Sequence, residues 1–408
     1  MAKTLSKREI ERREELKLKK RRKSVLIVMS EIALCLVLAI TCYGMSLLNS
    51  YAYEELSPSI YKETSPYEVE EAQKTTVIPQ TSIVEHTNES GEVIATEQVE
   101  VPPETVKSTG YRNILILGTD ARSQYSFDNG INTDVMIIAS INNETGDIKL
   151  VSILRDTILK MEDGTGALAY DKANAQFAVS GISDTVSMVN RNLGLDIDEY
   201  VIVNWYGVAM AVNQLGGIEL TIPNEKILTY FNSYLDFTNQ ATGLWAPELQ
   251  APGTYLMSGT QVVAFCRIRY GGYNDQGRTD NQREAISKIF ERAKTLLAQG
   301  QINTLLDCAQ TALGNVKTNL KLSDILYMAT ELSSYNMAGS TSFPQSYTTS
   351  TYVGNYAGKY GITDPLVAND FAGEVRQLHA FLFNDPNYQC SDFINTISNQ
   401  MYLDRTGQ

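Results

Sequence analysis

A long apolar segment near the N-terminus constrains this chain more than any other feature. It covers Ser24–Leu48 and contains a single charged side chain, Glu31. A helix of these 25 residues would be about 37 Å long, enough to cross the hydrocarbon core of a bilayer. The run of cations from Lys19 to Lys23 predicts that this end stays in the cytoplasm. We therefore predict a single-pass cell-membrane anchor at residues 24–48, a basic cytoplasmic head at residues 1–23 and an extracellular C-terminal domain.

The charged head also distinguishes an anchor from a cleaved signal peptide. It is longer than an ordinary signal-peptide n-region, and no clear small-x-small cleavage site follows the apolar segment. An uncleaved anchor is therefore favoured. Glu31 either lies near the inner face of the membrane, or the span begins at Ile32.

Charge is divided sharply along the chain. Residues 1–23 carry a net charge of +7, whereas the remainder carries −20. A body this acidic excludes nucleic-acid binding over a broad surface. Residues 49–108 are acidic and contain five prolines, which predicts an extended extracytoplasmic stalk because such a composition buries little apolar surface. A short hairpin around Thr75–Gln98 is the secondary interpretation there.

Cysteine and histidine usage excludes several other classes. The spacing of the five cysteines does not match a disulfide framework, although a disulfide between Cys308 and Cys390 is retained as an alternative. The only histidines are His86 and His379. Two histidines do not favour a His-rich zinc site, and they leave little scope for a Ser-His-Asp hydrolase.

Residues 109–385 alternate strand-like and helix-like patterns, which predicts one α/β domain. We expect α-β-α layers with a central mixed β-sheet flanked by helices. Residues 225–260 and 338–368 are rich in Tyr, Ser, Thr, Asn and Gly and are predicted to be long loops, and residues 386–408 a C-terminal tail. The predicted strands are Asn113–Leu117, Val135–Ile141, Ile148–Leu154, Tyr200–Val203 and Gly217–Ile222. The predicted helices are one capped by Ser183, Trp205–Leu215, one from Thr279 or Asp280 to Gly300, and others within 301–335 and 370–383.

Four arginines surround a glycine-rich turn within Cys266–Arg283. Arg267 and Arg269 follow an apolar run, and on a β-strand their spacing would place both guanidinium groups on one face. Arg278 and Gln282 stand four apart where a helical pattern begins, so they share one side of that helix. Arginine forks beside a helix N-terminus predict a phosphate or diphosphate site. A solvated charged loop is the alternative.

Acidic residues end or begin the neighbouring strands. Asp120 closes the first strand and Asp134 opens the second, a pair suited to Mg²⁺ bridging phosphate oxygens. Taken singly, each is more typical of a turn cap or an ion-pair partner. Arg155 ends the third strand and can join the phosphate clamp, while Asp156 is either a general base or a residue that holds an arginine in place. Lys172 and Asn174 begin another helix near the same mouth.

Together these motifs resemble the LytR-CpsA-Psr proteins of Gram-positive bacteria. The resemblance covers the basic head, the anchor and the region from about Tyr111 to Phe383, and its specificity lies in the order and spacing of the motifs. The matching segments are Leu117–Asp120 (LGTD), Thr133–Asp134, Ser152–Asp156 (SILRD), Lys172–Ala175 (KANA), Leu215–Leu220 (LGGIEL), Arg267–Tyr270 (RIRY) and Asp275–Arg283 (DQGRTDNQR).

The resemblance implies a phosphotransferase that works in cell wall assembly. Members move a glycopolymer, such as teichoic acid or capsular polysaccharide, from a polyprenyl-diphosphate carrier to a muramic-acid C6 hydroxyl of peptidoglycan. The lipid tail is expected in a long apolar pocket between sheet and helices. The implied metal ligands for Mg²⁺ are Asp120 and Asp134, the implied diphosphate ligands are Arg155, Arg267, Arg269, Arg278 and Gln282, and the implied catalytic residues are Asp120, Asp134, Arg155, Arg269 and Arg278.

Two departures from the family pattern affect the expected charge. Asn132 and Asn281 stand where the family usually has arginine, so the clamp is at least partly reduced. A weakly active or non-catalytic polyprenyl-phosphate-binding envelope regulator is therefore an alternative. Hydrolysis, with water replacing the sugar acceptor, is another.

Overall fold

The structure is a computed structural model, and it describes residues 52–57, 81–87, 93–100, 110–119, 131–163, 165, 168–269, 275–349, 362 and 364–406. The chain divides into two units, Met1–Tyr51 and Ala52–Gln408, and every described residue belongs to the second. The predicted cytoplasmic head, the predicted anchor and Asp120 lie outside the described residues. None of the helices described combines the length and the apolar character that a membrane crossing requires.

Strands dominate the first half of the described domain. Seven of them form the central sheet, in the order β1–β12–β9–β4–β5–β6–β13, and the others form the two-stranded ribbons β2–β3, β7–β8, β10–β11 and β14–β15. Their bounds are β1 Ala52–Tyr53, β2 Thr81–Thr87, β3 Val93–Glu100, β4 Tyr111–Thr119, β5 Thr133–Asn142, β6 Asp147–Ile153, β7 Ile158–Glu162, β8 Leu168–Lys172, β9 Glu199–Val203, β10 Ile218–Ile222, β11 Gly253–Met257, β12 Val316–Thr318, β13 Asn336–Phe343, β14 Tyr347–Thr348 and β15 Val367–Ala368.

Helices connect and cover these strands. A short 3₁₀ helix, Ala173–Ala175, precedes the first α-helix. The α-helices of the described residues are α1 Gln176–Leu193, α2 Trp205–Gln214, α3 Glu225–Thr242, α4 Gly259–Phe265, α5 Asp275–Ala298, α6 Ile302–Leu313, α7 Leu322–Thr330, α8 Phe371–Phe383 and α9 Asp392–Thr406.

The register of the central strands brings several chain segments to one edge. Strand β4 runs antiparallel to β5 and parallel to β9, so Gly118 pairs with both Val135 and Val203. Strand β6 runs antiparallel to β5, with Ile137 opposite Ser152. The ends of β4, β6 and β9 and the start of β5 therefore meet at the same edge, where Asp134 and Arg155 lie.

Both faces of the sheet are covered, as predicted for α-β-α layers. One face packs against α1, α8 and α9 in a single buried cluster. On the other face, Ile137 and Leu150 pack against Ile286 of α5, and Ile114 packs in a cluster with Ile325 of α7. A second apolar cluster joins α2, α3, α4, the β10–β11 ribbon and α5. The mixed sheet flanked by helices confirms the predicted fold class for the described domain.

The predicted loop at residues 225–260 is wrong, because half of it is helix α3 and it also contains strand β11. The side chain of Asn224 accepts a hydrogen bond from the Ile227 amide at 3.0 Å and begins the helix, and Gly243 ends it with a φ of 67°. Its buried positions recur at helical spacing and include Phe231 and Leu235. Its Tyr, Ser and Asn residues lie on the remaining surface, while Thr238 and Thr242 are buried, and this polar composition obscured the helical period.

The predicted loop at residues 338–368 is also partly wrong. Strand β13 lies at the edge of the central sheet and pairs in parallel with β6. Only its last residues, including Ser342 and Phe343, are buried. Small and polar residues suffice in such an edge strand, so its composition resembles that of a loop.

The structure also corrects the setting of the arginine cluster. The apolar run before Arg267 belongs to helix α4 rather than to a β-strand, so Arg267 and Arg269 lie in the turn and irregular chain that follow a helix. Helix α5 begins at Asp275, one turn earlier than predicted. Strand spacing therefore does not set the directions of Arg267 and Arg269.

Two further helices bear on the sequence-based boundaries. Non-helical backbone at Gly181 divides α1 into two helices, of which the first follows the KANA segment and the second begins beside Ser183, as predicted. Residues 386–408, predicted as a tail, contain helix α9, whose Ile394 and Ile397 are fully buried in the main core. Cys266, Cys308 and Cys390 are free thiols, so the Cys308–Cys390 bridge does not form.

His379 joins α8 to α1 within the main core. Its Nε2 donates a hydrogen bond to the Leu193 carbonyl at 2.8 Å, and its ring stacks on Tyr388 with centroids 3.4 Å apart. Burial lowers the pKa of His379 below its ordinary value of 6.5, against opposing effects of the Leu193 carbonyl and the Asp385 and Asp196 carboxylates. The folded chain therefore resists protonation of this imidazole.

We expect the free energy of unfolding to decrease as the pH falls through the ordinary His379 pKa of 6.5. Below that pH the unfolded chain binds a proton that the folded chain resists, whereas above it the stabilisation is fully present. Urea unfolding between about pH 5 and pH 8 measures the effect. The variant His379→Gln should show a smaller slope over this range, and an equal slope would assign the effect to another group.

Candidate functional site

A cavity of about 320 Å³ opens at the edge of the sheet where these strands end. Its walls are largely apolar and come from strands β4, β5 and β9 and helices α2, α4 and α5. Charged and polar side chains lie at its mouth. The apolar wall includes Ile116, Val135, Ile137, Val203, Val208, Val263, Ile286 and Ile289, and the polar residues include Asp134, Arg269, Arg278 and Gln282.

Arg155 lies at the centre of a charged cluster at this mouth. Its Nη1 donates to Asp134 Oδ1 at 2.7 Å, and its Nε donates to Asp156 Oδ2 at 3.2 Å. Asp275 Oδ1 is 4.0 Å from the same Nε. Burial lowers the pKa of Arg155, but the three carboxylates outweigh burial and raise it above its ordinary value. Arg155 is therefore a fixed cation among three carboxylates.

Arg269 and Arg278 complete the cluster from the opposite wall. Both guanidinium groups approach Asp275 Oδ1, at 3.0 Å from Arg269 Nη2 and 3.5 Å from Arg278 Nη2. Arg278 Nη2 also donates to the Asp134 carbonyl at 3.4 Å. Asp275 thus links the start of α5 to the arginine that follows α4. These three arginines and three carboxylates form what we call the charged cluster: Arg155, Arg269, Arg278, Asp134, Asp156 and Asp275.

Arg278 is the most deeply buried cation of the charged cluster, with 3% of its side chain exposed. Burial lowers its pKa, and so does the neighbouring Arg155, while Asp134 and Asp275 act in the opposite direction. Among the described residues, Arg278 Nε and Gln282 Oε1 are buried without a hydrogen-bond partner. A buried donor without a partner is costly, so an anionic ligand at the mouth would relieve it.

Arg267 contacts aromatic rings of α2 and α3. Its guanidinium carbon is 3.8 Å from the centre of the Trp205 ring, 4.9 Å from Phe237 and 5.3 Å from Tyr234. Its Nη1 donates to Thr238 Oγ1 at 2.9 Å. Arg267 lines the same cavity as Arg269, Arg278 and Gln282 of the predicted diphosphate ligands.

Asn281 and Gln282 tie helix α5 to the end of α4. Asn281 Nδ2 donates to the Phe265 carbonyl at 3.2 Å, and Gln282 Nε2 donates to the Cys266 carbonyl at 3.3 Å. Both side chains are buried. Asn281 thus holds the segment from which Arg267 and Arg269 extend, and Asn132, beside β5, is exposed.

Asp156 holds two cations at once. Besides its contact with Arg155, the Asp156 carboxylate forms an ion pair with Lys172, with Oδ1 at 3.0 Å from Lys172 Nζ. The Asn174 amide donates to the Arg155 carbonyl at 3.1 Å, so the 3₁₀ helix packs back against the same strand end. This geometry supports the interpretation that Asp156 positions Arg155. Lys172 contacts the charged cluster through Asp156 and does not line the cavity.

Two elements of the site were not assigned from the sequence. Asp275 belongs to the predicted arginine motif, and its position three residues before Arg278 could have indicated an ion pair between them. Trp205 and Tyr234 had no such signal, because one begins a helix after a strand and the other lies in a segment predicted to be a loop. Only the fold brings both rings to the cavity.

Comparison with known proteins identifies the family. The profile of the LytR_cpsA_psr family matches residues 73–363, more than half of the chain. The chain belongs to the LytR-CpsA-Psr family. The apolar cavity and the charged cluster lie within the residues that match this family.

Curated relatives within this family have moderate identity. Biofilm regulatory protein A of Streptococcus mutans serotype c is 29% identical over 219 residues, which cover 52% of this chain and 50% of the relative. Polyisoprenyl-teichoic acid–peptidoglycan teichoic acid transferase TagU of Enterococcus faecalis is 29% identical over 218 residues, 53% of this chain and 64% of the relative. The chain thus matches from half to under two thirds of the length of these relatives.

Solved structures share the fold. Protein gbs0355 from Streptococcus agalactiae superposes with a TM-score of 0.53 and 22% identity, covering 70% of this chain and 90% of that chain. TagT bound to LI-WTA superposes with a TM-score of 0.50 and 21% identity, covering 69% of this chain and 92% of that chain. At these identities the likeness concerns the LytR-CpsA-Psr fold alone.

Proposed function

We propose that this LytR-CpsA-Psr protein is a membrane-anchored, extracytoplasmic phosphotransferase of cell wall assembly. It moves a glycopolymer, such as a teichoic acid or a capsular polysaccharide, from a polyprenyl-diphosphate carrier to peptidoglycan. The anchor at residues 24–48 would keep the domain beside its lipid-linked donor. The names of the Enterococcus faecalis and Bacillus subtilis relatives, which are teichoic acid transferases, support this substrate class.

One observation carries the proposal: the wall of the apolar cavity includes the partly buried Arg269 and the buried Arg278 of the charged cluster. Apolar walls fit a hydrocarbon chain, and planar guanidinium groups fit phosphate oxygens. Arg278 lines the cavity and is also part of the charged cluster. A prenyl diphosphate likewise joins a hydrocarbon chain directly to a diphosphate group, so the chain would lie along the apolar wall and the diphosphate beside the guanidinium groups.

The residues present support a transfer reaction as follows. The acceptor hydroxyl oxygen forms a bond to the phosphorus that carries the glycopolymer, and the phosphoanhydride bond to the lipid phosphate breaks. Polyprenyl phosphate leaves with the bond's electron pair, and the hydroxyl proton passes to water. Arg155, Arg269 and Arg278 would bind the diphosphate oxygens and neutralise the charge that develops there. Catalysis in this scheme comes from positioning and charge stabilisation.

Mg²⁺ fits the residues at the mouth by its donor chemistry. Mg²⁺ sites commonly use one or two carboxylates together with substrate phosphates. Asp134 offers a carboxylate at the cavity mouth with 36% of its side chain exposed, and Asp120, outside the described residues, is the second proposed ligand. Bound there, the ion would neutralise diphosphate charge and polarise the phosphorus.

A non-catalytic envelope regulator that binds polyprenyl phosphate is the second candidate. Asn132 and Asn281 favour it, because neither can supply the charge that the family usually places there. The side-chain amide of Asn281 donates to the Phe265 carbonyl and is used for this contact within the protein. A hydrolase, with water as the acceptor, would use the same cavity and the same charged cluster.

An assay with the full-length protein in detergent distinguishes the three functions. It combines a prenyl-diphosphate-linked glycopolymer, peptidoglycan strands and Mg²⁺, with EDTA added in a parallel reaction. We expect polymer attached to peptidoglycan through a phosphodiester, and loss of this product with EDTA. Free phosphopolymer would identify a hydrolase. Retained lipid without turnover would identify the regulator and refute the transferase.

A further inference from the structure

The charged cluster has a second side, which faces away from the cavity. Asp156 belongs to the cluster but does not line the cavity. Leu366, directly before β15, binds the same strand end: its amide donates to the Asp156 carbonyl at 2.8 Å, and its carbonyl accepts from the Ile158 amide at 2.9 Å. The β14–β15 ribbon therefore adjoins the charged cluster on this second side.

The ribbon and the cavity lie on different faces of the central sheet. Val367 and Ala368 of β15 are buried in the main core, which packs against α1, α8 and α9. The helical walls of the cavity come instead from α2, α4 and α5, and none of the described residues of β14 and β15 lines it. The charged cluster thus stands between the cavity on one side and the ribbon on the other.

Side-chain hydrogen bonds fix the backbone around β14. The buried Glu374 carboxylate accepts from the Ser346 amide at 3.0 Å. Thr348 Oγ1 donates to Asn369 Oδ1 at 2.7 Å, and Asn369 Nδ2 donates to Ser346 Oγ at 2.8 Å. The positions on both sides of Tyr347 are therefore held in place before any ligand binds.

Tyr347 brings a hydrogen-bonding group from this ribbon to the charged cluster. It lies close enough to Asp275 for the carboxylate to act on it: burial, and then Asp275, raise the pKa of Tyr347 above its ordinary value of 10.0. The side chain is half-buried, and its hydroxyl makes no hydrogen bond within the described part of the chain. The phenol therefore keeps its proton near neutral pH and can donate to a ligand.

The geometry of phosphoryl transfer determines which substrate this side would receive. The attacking and leaving oxygens lie roughly in line across the phosphorus. In the proposed reaction the leaving group is the polyprenyl phosphate, whose hydrocarbon chain occupies the cavity. The acceptor hydroxyl must then approach the phosphorus from the side of the charged cluster that faces away from the cavity, where Tyr347 lies.

We propose that the β14–β15 side of the charged cluster is the acceptor site, which binds a sugar of a peptidoglycan strand, and that Tyr347 donates a hydrogen bond to this sugar. The inference rests on the proposed function, because it takes the acceptor and the leaving group from it. Sugar hydroxyl and acetamide oxygens accept from a phenol. The sugar of the donor glycopolymer is the rival occupant, and the kinetics below separate the two.

Steady-state transfer by the full-length protein in detergent tests this site. The donor is a prenyl-diphosphate-linked glycopolymer and the acceptor is uncross-linked peptidoglycan strands, each varied while the other is held constant. Tyr347→Phe removes only the hydroxyl. We expect its kcat/KM for the peptidoglycan strands to decrease about 3- to 10-fold, as for loss of one uncharged hydrogen bond. The KM for the donor and the calorimetric Kd for farnesyl diphosphate should stay at their wild-type values.

Tyr111→Phe is the matched control, because it makes the same chemical change at the other end of the sheet. The Tyr111 hydroxyl donates to the Phe383 carbonyl at 3.2 Å at the start of β4, and the charged cluster lies where β4 ends. This variant should leave the kinetics for both substrates unchanged. Thermal unfolding of both variants identifies any loss of fold, and titration of peptidoglycan strands into protein saturated with farnesyl diphosphate measures acceptor binding without turnover.

Each outcome decides the assignment of Tyr347. If the wild type transfers polymer and Tyr347→Phe keeps the wild-type kcat/KM and Kd for peptidoglycan strands, the acceptor site is wrong and the proposed function stands. If Tyr347→Phe instead raises the donor KM or weakens farnesyl diphosphate, Tyr347 serves the donor and the inference is also wrong. If the wild type binds farnesyl diphosphate but transfers nothing to peptidoglycan, the proposed function fails together with the acceptor site.

Discussion

Replacing Arg278 with methionine is expected to lower kcat for polymer transfer by about 10²–10³-fold, the usual cost of removing one preorganised donor from a transition state. Arg278 is 3% exposed, lies within hydrogen-bond distance of the Asp134 carbonyl and lines the cavity. Burial already lowers its pKa. Burial therefore disfavours the charge of Arg278, and a bound anion would compensate it. We expect the ion pair between Arg278 and the diphosphate to be strongest in the transition state, where negative charge accumulates.

Arg283→Met is the control for the Arg278 prediction. Arg283 lies on the same helix and is also buried, but it pairs with Asp280 and does not line the cavity. Its replacement should leave kcat nearly unchanged. Thermal unfolding of both variants shows whether a loss of stability, rather than the loss of Arg278, lowers the rate. Transfer by Arg278→Met at the wild-type rate would remove Arg278 from the catalytic group.

The central sheet was predictable because its strands carry the pattern that burial on both faces requires. Runs such as Asn113–Leu117 and Ile148–Leu154 are apolar and are bounded by turn residues. They correspond to β4 and β6. The short inner strand β12 and the edge strand β13 carry no such pattern, since each buries only its end, and the packing that surrounds them determines that they form.

The direction of side chains around the arginine motif was not predictable from spacing. Arg267 and Arg269 stand two positions apart, so on a strand their side chains would face the same way. Helix α4 extends to Phe265, so the two arginines instead follow a helix end and diverge. The divergence depends on Trp205 and Thr238, which are distant in sequence and reach Arg267 only through the packing of α2 and α3.

The ion pairs of the charged cluster also depend on tertiary structure. The motifs identified Asp134, Arg155 and Arg278 individually, and strand ends placed the first two at one edge. Asp275 bridges Arg269 and Arg278 because α5 begins one turn earlier than the predicted start at Thr279 or Asp280. A helix N-terminus that is polar gives little periodic signal, so the bridging carboxylate was missed.

Arg191→Leu is expected to decrease the free energy of unfolding by about 3–5 kcal/mol, the cost of leaving a buried charge without its partner. Arg191 Nη2 donates to Glu162 Oε1 at 2.9 Å, and Glu162 is fully buried. Gln176 also bonds the Glu162 backbone, at 2.9 Å to the amide and 3.2 Å to the carbonyl. Helix α1 is thereby joined to the β7–β8 ribbon.

A surface pair and a double variant show whether burial causes that loss. Lys288 and Glu291 pair at 3.0 Å on α5 with exposed side chains, so Lys288→Met should cost less than about 1 kcal/mol in the same urea unfolding experiment. Arg191→Leu combined with Glu162→Leu removes both charges and should restore much of the stability.

Because β8 ends at Lys172, which pairs with Asp156, the single variant Arg191→Leu should also weaken diphosphate binding. If its unfolding energy matches that of Lys288→Met, the buried pair does not stabilise the ribbon that supports the site.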